Sequence, residues 1–194
     1  MKLLYTKRSP FARKVRVIAL EKGISLDLID EDLQKKSQRL LEANPLGKVP
    51  TLILDNGAAV FDSPVICRYL DELNDTAVMI PREARLRLEV LKWEAFADDL
   101  TMAAINLYME KLRHPQDFHK DFTAALQNSI LAAYGYIERN LPQLQRFDLA
   151  SVAVASAVGY IHFRLPHLKA QGALSSWFEE ISKRPSMAQT VPVA

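Results

Sequence analysis

Cysteine is almost missing from this chain: Cys67 is the one thiol in 194 residues. A single cysteine excludes an internal disulfide and any Cys-x-x-Cys redox or zinc pair, and it fits a reducing compartment. Charge of one sign is lacking too, since 25 basic residues face 23 acidic ones for a net charge of +2. A pI near 8.6 is too mild to argue for nucleic acid. No apolar run approaches the roughly 18 residues of a membrane span, and no basic-then-apolar leader precedes a small-residue cleavage site. These absences predict a cytoplasmic protein with neither membrane nor nucleic acid as partner. What is present is ordinary globular composition, 49% hydrophobic and 25% charged, enough for one large or two modest domains. One local bias stands out. Between Lys7 and Arg16 the charges are Lys7, Arg8, Arg13, Lys14 and Arg16 with no acid among them, which reads as a solvated cationic face.

The first part of the chain alternates strand and helix signals. Met1 to Tyr5 is a strand candidate, Ser9 to Lys22 a helix, and Ser25 to Ile29 a second strand, a spacing that implies a right-handed parallel crossover. Ser9 is a good N-cap and Pro10 suits the first helical position. Phe11, Val15, Ile18 and Ala19 fall on one face of that helix, which Gly23 can end. Ser37 to Ala43 reads as a short helix stopped by Asn44-Pro45. The runs Val49 to Leu54 and Ala58 to Phe61 flank Asp55-Asn56-Gly57, a strong hairpin signal. Asp62-Ser63-Pro64 then repeats the device at Ser9-Pro10, with Ser63 as cap, and opens a helix whose expected buried face is Val65, Ile66, Tyr69, Leu70 and Leu73. Cys67 and Arg68 lie off that face.

Periodicity stops between Asn74 and Pro81, which reads as a linker. Beyond it the pattern is helical only. Glycine and proline are both absent from Arg82 to Arg113, room for one long helix. Asp117 to Asn140 is a second candidate. Asp148 to about Phe163 is apolar nearly all round, the mark of a helix buried in the middle of a bundle. Ser175 to Ser182 is a fourth, stopped by Pro185 and followed by an irregular tail. The organisation predicted is an α/β domain over residues 1–76 and an all-helical domain over 82–194, with a ligand cleft between them.

A helix N-terminus carries partial positive charge and unpaired donors, so Ser9 can either cap only or also present its hydroxyl to an anion. A Ser-His-Asp reading has no support, because Gly-x-Ser-x-Gly is absent. His114, His119, His162 and His167 show no metal-ligand spacing with cysteine or glutamate, so no metal is expected.

The element order with a Pro-containing hairpin resembles a thioredoxin-type fold with a mixed four-stranded sheet, and the helical part after it resembles the glutathione S-transferase family. Asn44-Pro45-Leu46-Gly47-Lys48-Val49-Pro50 is similar to the family's loop into the third strand, whose Val-Pro peptide is characteristically cis. Phe61-Asp62-Ser63-Pro64 resembles the acidic-Ser pair that binds the γ-glutamyl end of glutathione, with Asp62 where glutamate is common. Ser9-Pro10 is similar to the serine-type members, in which a hydroxyl donates to the glutathione sulfur. Tyr5 is the rival for that role, although a core tyrosine is the default inside a strand.

The resemblance implies that glutathione is the co-substrate, held by Val49, Asp62 and Ser63. Lys48 either pairs with its glycine carboxylate or is a solvated loop lysine. It implies conjugation to a small, apolar electrophile, which Phe11, Met102 and Tyr108 could line, although an aromatic or methionine at helical spacing is more often core. It also implies a homodimer acting in detoxification. Asp98 or Asp99 could lend an acid across that dimer, although a solvated face is the plainer reading of either. The buried helix carries Asp148 and Ser151 in the reverse of the family's order. A glutathione-linked isomerase or dehalogenase is a variant of this reading. A non-catalytic interaction module of the same fold is the alternative from another class.

Overall fold

The computed structural model describes residues 1–193. Strand β1 (Lys2–Tyr5) leads into α1 (Pro10–Glu21), then β2 (Asp27–Asp30), α2 (Gln38–Ala43), β3 (Thr51–Ile53), β4 (Ala59–Val60) and α3 (Ser63–Glu72). The sheet order is β2-β1-β3-β4, with β1 and β2 parallel and the other two pairs antiparallel. This is the mixed four-stranded, thioredoxin-like sheet that the strand and hairpin signals predict. The parallel pair forms because α1 carries the chain back across the sheet, and the antiparallel pair because Gly57 turns the hairpin at φ +85°.

The rest is helical: α4 (Ala84–Arg113), α5 (Lys120–Arg139), α6 (Leu149–Arg164), α7 (Gly172–Ser182) and the short α8 (Pro185–Ala188). Every residue of α6 from Leu149 to Ile161 is buried, as a helix without a polar face requires. Its start is a closed capping box. Asp148 Oδ1 accepts from Ala150 N at 3.0 Å, and Ser151 Oγ accepts from Asp148 N at 3.1 Å, so the reversed order of acid and hydroxyl still satisfies the free donors.

Three expectations are corrected. The buried residues of α3 are Ser63, Ile66, Cys67 and Leu70, while Val65 and Leu73 are exposed. The inward face is thus rotated from the one expected, and Cys67 lies in the core at 1% exposure. There burial raises its thiol pKa, an inert state for a cysteine. Pro185 does not lead into an irregular tail but opens α8, a position proline favours.

The third correction concerns the basic run on α1, which is no solvated face. Arg13 and Lys14 are 3% and 1% exposed. Lys14 Nζ donates to Glu94 Oε1 at 2.9 Å and to both oxygens of Asp98 at 2.8 Å. Arg13 Nη2 donates to the Met187 carbonyl at 3.1 Å. The two cations pin α1 to α4 and α8, so the start of α1 is held rigidly against the helical region. Only the outer charges, Lys7 and Arg8, stay exposed.

Candidate functional site

The sheet register brings the sequence motifs to one end of the molecule. Leu4 pairs with Thr51 and Leu52 with Val60. Continuing the first ladder by one residue sets Tyr5 opposite Pro50, and continuing the second by two sets Pro50 opposite Asp62, at strand spacings of about 4.8 Å. Tyr5 also pairs with Asp30 of β2. Both parallel strands therefore end here, at the kind of switch point where open α/β sheets take ligands. A depression of about 560 Å³ opens past the ends of β1 and β2, lined by Thr6, Lys7, Arg8, Asp30, Glu31 and Asp32 and by none of Ser9, Val49, Asp62 or Ser63.

At the first helix start, Ser9 is half-buried and its Oγ accepts from Ala12 N at 3.1 Å. Capping uses a lone pair of the hydroxyl, not its proton. The O–H remains free to donate outward, from the positive end of a twelve-residue helix. Tyr5 is 6% exposed, with the Arg16 guanidinium 5.1 Å from its ring centroid.

The second start differs from its expected form. Asp62, not Ser63, is the N-cap: its Oδ1 accepts from Ser63 N at 2.7 Å. Ser63 is thereby the first helical residue. It is fully buried, and its Oγ has no hydrogen-bond partner. A buried hydroxyl without a partner is costly and rare in folded chains, and a bound group with a charged oxygen would satisfy it.

Between the two starts, the Val49-Pro50 peptide is cis, as the loop's resemblance implies. The loop before it is locked. The Lys48 carbonyl accepts from Asn44 Nδ2 at 3.2 Å and from Thr51 Oγ1 at 2.9 Å. Gly47 sits at φ +58°, in the left-handed region that favours glycine. Val49 is half-buried and the Lys48 side chain is exposed.

The helical side of the site is contributed by α4 and α6. Asp98 lies near enough to Asp62 to feel its charge. Burial, with the like charges of Glu94 and Asp62, holds the Asp98 carboxyl above the ordinary aspartate value in spite of Lys14. Burial opposes the charge on Lys14, but the carboxylates of Glu94 and Asp98 keep its ammonium above the usual lysine range. Asp98 is therefore an inner partner of Lys14, not an acid on a solvated face. Phe11 and Tyr108 are half-buried, and Met102 is 43% exposed. The Tyr108 hydroxyl accepts from Arg164 Nη1 at 3.3 Å. Sequence reasoning missed Lys14 and Arg164, and no local signal marks them, since their partners lie 56 to 84 residues away. Among the described residues no group of three or more His, Cys, Asp or Glu could hold a metal ion, and no helix is long and apolar enough to cross a membrane.

The comparisons bear on this arrangement as a whole. The family model described as "Glutathione S-transferase, N-terminal domain" matches residues 8–73. A GST-like protein of Escherichia coli K12, YibF, itself uncharacterized, is 33% identical over 99% of this chain and 98% of its own. The chain belongs to the glutathione S-transferase family. A glutathione S-transferase from Methylobacillus flagellatus, solved with glutathione bound, superposes at a TM-score of 0.93 with 34% identity, over 99% of both chains. A glutathione transferase family member from Pseudomonas fluorescens Pf-5, solved with S-(propanoic acid)-glutathione, superposes at 0.90 with 35% identity over the full length of both. Plant relatives named as probable glutathione S-transferases, such as one from tobacco at 32% identity, are matched over only about half their length, 50% in that case.

Proposed function

We propose that the protein is a glutathione transferase that binds glutathione across the strand-end site and directs its sulfur onto a small electrophile in the cleft between the sheet and α4. The observation that carries this reading is the buried, unpartnered Ser63 hydroxyl beside the cis Val49-Pro50 peptide, at the same sheet end as the Ser9-capped helix. The glutathione bound to solved relatives of this length supports it.

Glutathione supplies the nucleophile, its sulfur in the thiolate form. Val49 presents backbone to the tripeptide in the manner of an added strand. Ser63 Oγ and the first free N–H groups of α3 receive the γ-glutamyl carboxylate, with Asp62 fixing that turn from its cap position. Lys48, exposed on the locked loop, is the proposed partner of the glycine carboxylate. Ser9 donates its hydroxyl to the sulfur while its lone pair stays on Ala12 N.

The magnitudes suffice. Lowering a thiol from about 8.5 by two pKa units needs roughly 2.7 kcal/mol of preferential stabilisation of the anion. A hydrogen bond to a charged group contributes about 1.5–3 kcal/mol and a helix N-terminus about 0.3–1 more. No general base is required. Tyr5 is the weaker candidate for the sulfur, because it is buried under Arg16 in the strand. Phe11, Tyr108 and the exposed Met102 are the proposed walls for the electrophile, in a cleft between the two proposed domains, 1–76 and 82–194.

Conjugation assays with 1-chloro-2,4-dinitrobenzene test the reading. Turnover that depends on glutathione and falls in Ser9→Ala is expected; a protein that binds no glutathione at millimolar concentration would instead be an interaction module of the same fold. A homodimer is the assembly proposed, with the exposed apolar side chains Phe61, Val65 and Leu88 as candidates for its surface.

A further inference from the structure

The cleft wall built by α4 and α6 carries a cation that no ion pair among the described residues neutralises. Arg164 closes α6 with its guanidinium 4.3 Å from the Phe163 ring centroid and 4.8 Å from that of Tyr108. Its Nη1 is taken by the Tyr108 hydroxyl, whereas its Nε is buried without an acceptor. Among the described residues no ion pair includes Arg164, nor Arg8 in the loop just before Ser9. The charge of each reaches one hydroxyl, that of Arg164 more strongly than that of Arg8. Burial lifts the Tyr160 hydroxyl above its ordinary value, and Arg164 and Arg8 both pull it back.

A partly buried guanidinium with an unmet N–H costs free energy unless an anion completes it. Stacking on two rings holds this one in place, and the donor left without a partner is the buried Nε–H, on the side whose planar fork matches the two oxygens of a carboxylate. Glutathione's own carboxylates are assigned elsewhere, to Ser63 and to Lys48. We propose that Arg164, with Arg8 at the rim, binds a carboxylate on the electrophile, so that the second substrate is an organic acid and not the purely apolar molecule that the sequence suggests. This rests on the transferase reading, and its test separates the two.

The probe pair is 4-chloro-3,5-dinitrobenzoate and neutral 1-chloro-2,4-dinitrobenzene. In both, the glutathione sulfur forms a bond to the ring carbon, chloride leaves with the electron pair of the C–Cl bond, and the thiol proton goes to solvent. The quantity read is the ratio of kcat/KM for the acid to that for the neutral compound, each divided by its uncatalysed rate. Preference for the acid is expected in the natural protein. The ratio falls by about tenfold in Arg164→Gln, the low end for a charge-assisted hydrogen bond, mainly through KM for the acid, and recovers in part in Arg164→Lys.

An equal ratio in the natural protein and Arg164→Gln overturns the proposal, as does a loss that falls alike on glutathione and both electrophiles. Should Arg164→Gln fail to fold, Arg8→Gln on the exposed loop must lower the ratio in the same direction, and no change there overturns it. If neither compound is conjugated above background, the transferase reading fails by itself. Calorimetry with the two S-aryl glutathione conjugates then decides the anion site. Tighter binding of the acid conjugate, lost in Arg164→Gln, supports it; equal binding contradicts it.

Discussion

The two helix starts on either side of the cis-proline loop are written with the same dipeptide, Ser9-Pro10 and Ser63-Pro64, and they use it differently. At α1 the serine is the cap, so its oxygen is committed to Ala12 N and only its proton is left for a ligand. At α3 the cap has moved one residue back to Asp62, so Ser63 enters the helix with its hydroxyl buried and wholly uncommitted. A one-residue shift in capping thus separates a donor that stabilises its own helix from one that the free protein leaves unsatisfied. The first suits a developing thiolate, the second a carboxylate that arrives with the ligand.

The strongest way to break the comparison is to release α1. Lys14→Ala leaves Asp98 without its cation and Glu94 with only Arg68, at 3.8 Å, and losing one partner of a buried pair costs about 3–5 kcal/mol; urea denaturation should show a loss of that order, together with loss of conjugating activity. Next come the two serines themselves. Ser9→Ala should cut turnover at neutral pH about tenfold or more while glutathione still binds, whereas Ser63→Ala should weaken glutathione about tenfold or more by calorimetry.

Stability without ligand should move in opposite directions for the same two variants. Ser9→Ala loses a cap and about 1 kcal/mol. Ser63→Ala removes an unsatisfied buried hydroxyl and should gain about 1 kcal/mol. Two losses of equal size would erase the distinction.

The smallest effect lies outside both starts and serves as a control. His162 Nε2 accepts from Ala170 N at 3.0 Å, so the neutral ring is the folded form, and burial first, then Lys169, lowers its pKa. The unfolded chain binds that proton more tightly. Its stabilising contribution is therefore complete above about pH 6.5 and declines as pH falls from there toward the folded value. Thermal melts between about pH 7.5 and 5.5 should show a shallower acid decline in His162→Gln than in the natural protein.

Local patterns carried much of this into view. The strand-helix-strand opening, the Asn-Gly hairpin, the Val49-Pro50 loop and the buried helix behind Asp148 all depend on neighbours a few residues apart, and such signals are written consecutively. The cap at α3 was not legible, because Asp62 and Ser63 are equally good caps and only the packed position of the helix chooses between them. The same rotation took Cys67 from the flank into the core. Arg13 and Lys14 read as solvent-facing because their partners, Met187, Glu94 and Asp98, lie 80 to 174 residues away. Arg164 against Tyr108 is hidden for the same reason, and it changes the expected character of the second substrate.

The division of labour between the two serines is tested most directly by titrating the thiol of bound glutathione, through its thiolate absorbance, in the natural protein and in both alanine variants. The account predicts a thiol pKa well below about 8.5 in the natural protein, a return toward that value in Ser9→Ala, and a depressed value in Ser63→Ala once glutathione is raised enough to bind. A thiol pKa that is unmoved by Ser9→Ala, or moved as far by Ser63→Ala, would contradict it.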